Sequence, residues 1–163
     1  MSAPHLFRSA SEDATRRFAA RLAPRLQPGD TVLLSGPIGG GKTLFARALI
    51  QARLAAAGRM EDVPSPTFTL VQTYDDGTLE IWHADLYRLS DTQEIVELGL
   101  EEAFETAVCL VEWPDRLGDM APAGALSLDF APEGETVRAI RCTPGSPRWQ
   151  ALLDELLPEP ADG

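Results

Sequence analysis

The sequence predicts an α/β fold, a three-layer sandwich whose mixed, mainly parallel central sheet includes an antiparallel hairpin. Three observations carry this. The short apolar run Val32, Leu33, Leu34 reads as a buried parallel strand and leads through a glycine-rich stretch into a segment of helical period. Two extended runs, FTLVQTY and TLEIWHAD, flank Asp75, Asp76 and Gly77, a strong hairpin signal. A further run, VCLVEWP, stays apolar until it ends in an acid, the pattern of a central strand that delivers one polar side chain to the sheet edge.

The elements follow in order. Ser9 and Ser11 precede an acidic first turn, Glu12 and Asp13, and Ala14, Phe18 and Leu22 then recur every four residues, so a helix is expected from about Ser11 to Leu26. Pro28, Gly29 and Asp30 make the turn into the first buried strand. From Lys42 the residues Phe45, Leu49 and Ala52 keep helical period up to a stop at Gly58. After the hairpin, Thr92 to Leu98 reads as a helix, Gly99 as a turn, and a shorter helix runs to Phe104. VCLVEWP is followed by a turn-rich loop, Leu117 to Gly124, and by a strand pair, Leu126 to Phe130 and Thr136 to Cys142. Trp149, Leu152, Leu153, Leu156 and Leu157 mark a closing helix, and the proline-rich residues 158–163 read as a frayed tail.

With 163 residues the chain suits one domain, over residues 1–157, because two would each lack a comfortable core. Residues 44% hydrophobic and 24% charged, with no long apolar stretch, describe a soluble globular chain rather than a membrane protein. The first thirty residues fit neither a secretory signal nor a transit peptide, so the expected location is the cytoplasm. Cys109 and Cys142 sit in apolar runs without a CxxC pattern and read as buried reduced thiols, not as a disulfide, a zinc site or a nucleophile. A net charge of −11 repels polyanions, so direct, tight binding of RNA or DNA is not expected. Arg16, Arg17, Arg21 and Arg25 have the spacing of a solvated helix face.

The segment Gly36 to Thr43, GPIGGGKT, fits the pattern GxxxxGK[ST] through Gly36, Gly41, Lys42 and Thr43, between a strand and a helix as that pattern requires. Glycines at Gly36, Gly39, Gly40 and Gly41 let the backbone curl so that consecutive N–H groups face an anion, and the helix that follows adds positive potential. Lys42 is suited to the β- and γ-phosphates of a nucleotide and the Thr43 hydroxyl to magnesium. A second feature points the same way. Of the 14 basic residues only Lys42 is lysine, and it stands where such a loop needs a compact ammonium rather than a planar guanidinium. The fold expected is therefore of the P-loop NTPase kind, with ATP and Mg2+ as its ligands.

Such a site also calls for a carboxylate at the end of a neighbouring buried strand, and Glu112, after Val108 to Val111, is the leading candidate for the magnesium. Trp113 and Pro114 end that strand and can wall the site. Asp85, at the end of TLEIWHAD, suits two kinds of role: orienting the attacking water or the metal shell, and capping the helix that follows or pairing with Arg88. His83 reads as a packed, hydrogen-bonded strand residue rather than a catalytic one. The proline-punctuated VPSPTFTL, with Ser65 and Thr67, suits either a loop that senses the γ-phosphate or the entry to a strand. Guanine-specific P-loop proteins usually carry an NKxD motif; with the only lysine committed to the loop, adenine is the expected base.

Taken together, GPIGGGKT, SPTFTLVQTY, HADLYRL and LVEWP resemble the TsaE (YjeE) family of bacterial ATPases that support threonylcarbamoyladenosine modification of tRNA. The resemblance runs from about Ser11 to Pro114 and is vague beyond Pro122. It implies a small ATPase acting with the tRNA threonylcarbamoyltransferase subunit TsaD and its partner TsaB, which handle transfer to adenosine 37 and touch the tRNA, so that an acidic chain need not grip it. By matching positions it implies that Gly36 to Leu44 bind phosphate, Thr43 and Glu112 bind magnesium, Asp85 assists hydrolysis and Thr15 lies near the adenine. It also makes the SPTF segment a switch-like loop and matches Trp113 to the family's tryptophan. Two residues depart from the family's pattern: Pro37, where an acid is common, and Gly40, where alanine is usual. Two other readings share the loop, a small-molecule kinase, for which no arginine-dense lid is apparent, and a scaffold gated by nucleotide without turnover.

Overall fold

The computed structural model describes residues 4–59, 61–66, 70–89 and 91–157. Seven strands form one sheet in the order β1-β7-β6-β2-β5-β4-β3: β1 (His5–Ser9), β2 (Thr31–Ser35), β3 (Val71–Asp75), β4 (Glu80–Asp85), β5 (Val108–Glu112), β6 (Leu126–Pro132) and β7 (Arg138–Thr143). The central block β6-β2-β5-β4 is parallel, while β1, β7 and β3 pair antiparallel at the flanks. The helices are α1 (Glu12–Leu22), α2 (Lys42–Ala56), α3 (Thr92–Leu98), α4 (Leu100–Thr106) and α5 (Pro147–Leu156).

Alternation along the strands sorts the core into two layers. Val32 and Leu34 of β2 with Val108 and Leu110 of β5 face Phe18 of α1, Phe45 and Leu49 of α2 and Trp149 of α5. Cys109 and Val111, one residue out of phase, face Ile95, Leu100 and Ala103 of α3 and α4. The mixed three-layer α/β expectation is met. Both cysteines are buried and unpaired, and burial pushes the Cys109 thiol up to about 12, so it stays protonated and inert. No helix among the described residues is long and apolar enough to cross a membrane.

Three elements differ from the sequence expectation. The first helix ends at Leu22, and Ala23–Arg25 tightens into a 3-10 turn because Pro24 has no N–H to continue the ladder. The loop expected after β5 is in part helical, a pair of 3-10 turns over Pro114–Met120 broken at Gly118, with Leu117 filling the space beneath. β1 was not expected at all. It is five residues long and earns its conformation from β7, with His5 opposite Cys142 and Ser9 opposite Arg138, a pairing far beyond any local pattern.

The hairpin turn between β3 and β4 is built around the Asp76 carboxylate, with Asp75 Oδ1 accepting from the Gly77 N–H at 2.7 Å. Asp76 Oδ1 accepts from the N–H groups of Thr78 and Leu79 at 2.9 and 2.7 Å, and Oδ2 from Arg53 Nε of α2 at 2.7 Å. Burial alone would raise the Asp76 carboxyl, but the backbone donors of Thr78 and Leu79, the Thr78 hydroxyl and Arg53 outweigh it and bring it down to about 2. A carboxyl depressed on folding contributes stability above its unfolded value, and that stability is lost as pH falls toward its folded value. Thermal melts should therefore show the wild type losing an advantage over Asp76→Asn between about pH 4 and pH 2, after a deficit for the variant of about 3 kcal/mol at pH 7.

Candidate functional site

The glycine loop lies between the C-terminal end of β2 and the start of α2, where a parallel strand and a helix N-terminus meet at the sheet edge. Two glycines are required by geometry. Gly36 has φ +139°, and a Cβ there would stand 2.5 Å from the Phe130 carbonyl oxygen of β6, while Gly41 caps α2 at φ +105°. The Gly40 N–H closes an inner turn on the Pro37 carbonyl at 3.0 Å, so this amide serves the loop itself. α2 starts without any side-chain cap, which leaves the first-turn N–H groups of Lys42, Thr43 and Leu44 as the donors an anion would meet.

Lys42 is 4% exposed, and its ammonium folds back under the loop, donating to the Gly36 carbonyl and, at 3.4 Å, to that of Pro37. The Trp113 ring closes the other side, its centroid 3.8 Å from Nζ. Burial pushes the Lys42 pKa down, and the carboxylates of Glu112, Asp85 and Asp115 partly offset this. The ammonium is thus a desolvated cation whose hydrogen-bond partners among the described residues are neutral carbonyls, a state that an incoming phosphate would improve.

The strand register brings the carboxylates together. Asp85 of β4 and Leu34 of β2 both lie beside Glu112 at the end of β5, so the two acids share the sheet face on which α2 begins. The Thr43 hydroxyl donates to Glu112 Oε1 at 2.7 Å, which leaves the hydroxyl's lone pairs available to a cation. Glu112 Oε2 meets His83 Nε2 at 2.7 Å, with His83 fully buried and Glu112 2% exposed. Asp85 accepts from the Tyr87 N–H at 3.1 Å, so it caps the next turn while standing at the cavity. No cluster of three or more His, Cys, Asp or Glu side chains among the described residues could hold a metal by itself. A hydroxyl beside a carboxylate is instead a partial, all-oxygen set, the kind that suits Mg2+ completed by phosphate and water.

Trp113 leaves β5 in the left-handed region, φ 60°, its N–H bonded to the Leu34 carbonyl at 3.2 Å, and its ring packs on Tyr87 with centroids 4.8 Å apart. These groups line one end of a cavity of about 890 Å³. Its other end lies between the start of α1 and the β6 to β7 turn, where Thr15, Thr136 and Arg138 reach it. Thr15 is buried, with its hydroxyl 2.6 Å from Ser9 Oγ, which in turn donates to the Ser11 carbonyl. Arg138 was missed by sequence reasoning because β7 lies a hundred residues away; its Nη2 donates to the Gly39 carbonyl at 3.3 Å and braces the loop tip. Of the proline-punctuated segment, Ser65 lies within the described residues, and Thr67 and Phe68 lie outside them.

Comparison with known proteins agrees with this architecture. Residues 9–140 match the family model for "Threonylcarbamoyl adenosine biosynthesis protein TsaE". The chain is 40% identical to the tRNA threonylcarbamoyladenosine biosynthesis protein TsaE of Rickettsia bellii over 120 residues, 74% of this chain and 81% of the relative. It is 34% identical to that of Bacillus subtilis over 151 residues, 92% of each chain. Among solved structures, the crystal structure of Bacillus subtilis YdiB superposes with a TM-score of 0.78 at 30% identity, covering 96% of this chain and 95% of that one. The match spans the glycine loop, both acidic strand ends and the tryptophan after β5, so motif, fold and overall similarity converge: the chain belongs to the TsaE family of tRNA threonylcarbamoyladenosine biosynthesis proteins.

Proposed function

We propose that this chain is a cytoplasmic ATPase that hydrolyses MgATP in support of threonylcarbamoyladenosine formation at tRNA position 37, acting in complex with TsaD and TsaB. The observation that carries the reading is the convergence of a buried ammonium, an uncapped helix start and a hydroxyl–carboxylate pair on one cavity. Lys42 and the amides of Gly39 and of Gly41 to Leu44 would hold the β- and γ-phosphates, Thr43 and Glu112 would hold Mg2+, and Thr15 would border the base. When bound, the ion would neutralise phosphate charge and help the terminal phosphoryl group to leave. Asp85, on the Glu112 side of the cavity, would accept a hydrogen bond from the attacking water. Trp113 and Tyr87 would shield the reacting end from bulk water.

Among the described residues Trp113 and Tyr87 border the phosphate end of the cavity, and we take its remaining cover to come from the partner proteins. Turnover by the chain alone is therefore expected to be slow, with partner binding ordering the site. Phosphate release should rise by at least about tenfold when TsaD and TsaB are added to the purified chain with MgATP. Rapid phosphate transfer to a small metabolite without partners would replace this reading by a kinase, and ATP-dependent partner binding without release would replace it by a gated scaffold.

A further inference from the structure

His83 is a buried group in contact with Glu112 that neither the glycine-loop pattern nor the proposed phosphate and metal contacts use. It sits two residues before Asp85 on β4, hence on the same sheet face, one pleat deeper beside Leu110 of β5. Its ring is fully buried, and Nε2 lies 2.7 Å from Glu112 Oε2. Nδ1 is buried and meets no hydrogen-bonding partner among the described residues. A carboxylate only accepts, so Nε2 must carry the proton, and the bare Nδ1 lone pair is then the cheaper atom to leave without a partner. All of the ring's polar interaction is spent on one oxygen of Glu112.

That bond has a specific consequence. The terminal torsion of a glutamate is broad, so a carboxylate held at one oxygen can swing. Glu112 is held at both: Oε2 by His83 and Oε1 by the Thr43 hydroxyl. The plane of the carboxylate is thereby set, and through Oε1 so is the direction in which Thr43 gives its proton and offers its lone pairs. We infer that His83 is a positioning residue that locks Glu112 and, through it, Thr43 into the orientation that receives the metal ion. The inference rests on the proposed ATPase reading for its catalytic consequence, though not for its geometry.

Two measurements test it. In the nucleotide-free full chain, long-range 1H–15N spectra of the imidazoles, assigned with His5→Gln because His5 is the other of the 2 histidines, should show His83 as the Nε2–H tautomer and should shift when Glu112 is replaced by alanine. An Nδ1–H tautomer, or a His83 signal indifferent to Glu112→Ala, overturns the proposal. In the complex with TsaD and TsaB, His83→Leu should lower kcat about 10- to 100-fold and raise the Mg2+ concentration for half-maximal turnover. Its ATP affinity measured in chelator should stay within about twofold. His83→Gln, whose side-chain amide can donate at a similar reach, should recover most of the loss, and equal defects in both variants overturn the proposal. Should the wild-type complex release no phosphate at all, the ATPase reading fails while the spectra still decide the His83 to Glu112 bond.

Discussion

Lys42→Ala should reduce MgATP turnover by about 10²–10³-fold or more, the scale lost when one preorganised donor to developing charge is removed. ATP affinity should fall as well, because the ammonium would meet the β- and γ-phosphates before and during the reaction. The fold should not suffer. The ammonium is buried against the Gly36 and Pro37 carbonyls and the Trp113 face with no carboxylate of the described residues in contact, so deleting it removes a desolvated charge rather than an ion pair. A melting temperature at or above that of the wild type, together with lost phosphate release, is the expected pair of results. Full activity in this variant would remove the basis of the proposed function. Lys42→Arg should be nearly as defective, since a planar guanidinium cannot enter the slot between loop carbonyls and an indole ring.

Glu112→Gln is the second large effect, and its cause is different. The substitution keeps the shape of the side chain but removes its charge and half of its accepting capacity. Thr43 and His83 both donate to Glu112, and an amide offers one oxygen for two donors, so either the Thr43 hydroxyl or the His83 ring must turn. Turnover should drop about 10²-fold or more, the Mg2+ requirement should rise, and nucleotide affinity in chelator should change little. Asp85→Asn should show the same split in milder form, with kcat lowered and affinity kept, because Thr43 donates to Glu112 and not to Asp85, which accepts from the Tyr87 N–H. Phosphate-release kinetics over a magnesium titration separate these outcomes. An equal loss of affinity and turnover in Glu112→Gln would count against a metal role.

How much of this could be read without the structure depends on how local each feature is. The glycine loop is encoded within eight residues: its glycines, its lysine and its threonine state their backbone and chemistry by type and spacing alone. The strands β2 and β5 announce themselves because both faces are buried, and the β3 to β4 hairpin because its turn residues suit only that turn. Glu112 was recognisable as the acid that ends a buried strand. His83 was read as packed and hydrogen-bonded, which it is, but its partner could not be named, because a strand residue's neighbour depends on which strand lies alongside and in what register.

The same limit explains β1, Arg138 and the close approach of the Phe130 backbone to Gly36. Each acts through a contact with an element more than ninety residues away, and no local periodicity reports such a contact. The sequence by itself thus determined a strand, loop and helix able to cradle phosphate, one ammonium to serve it, and the order of buried and turning segments that forces an α/β sheet. Tertiary structure alone decided that Asp85 stands beside Glu112, that His83 and Thr43 grip opposite oxygens of that carboxylate, and that Arg138 steadies the loop. The physical reason is that spacing and residue type act within a few bonds, whereas register and packing are settled only when distant strands bury their faces together.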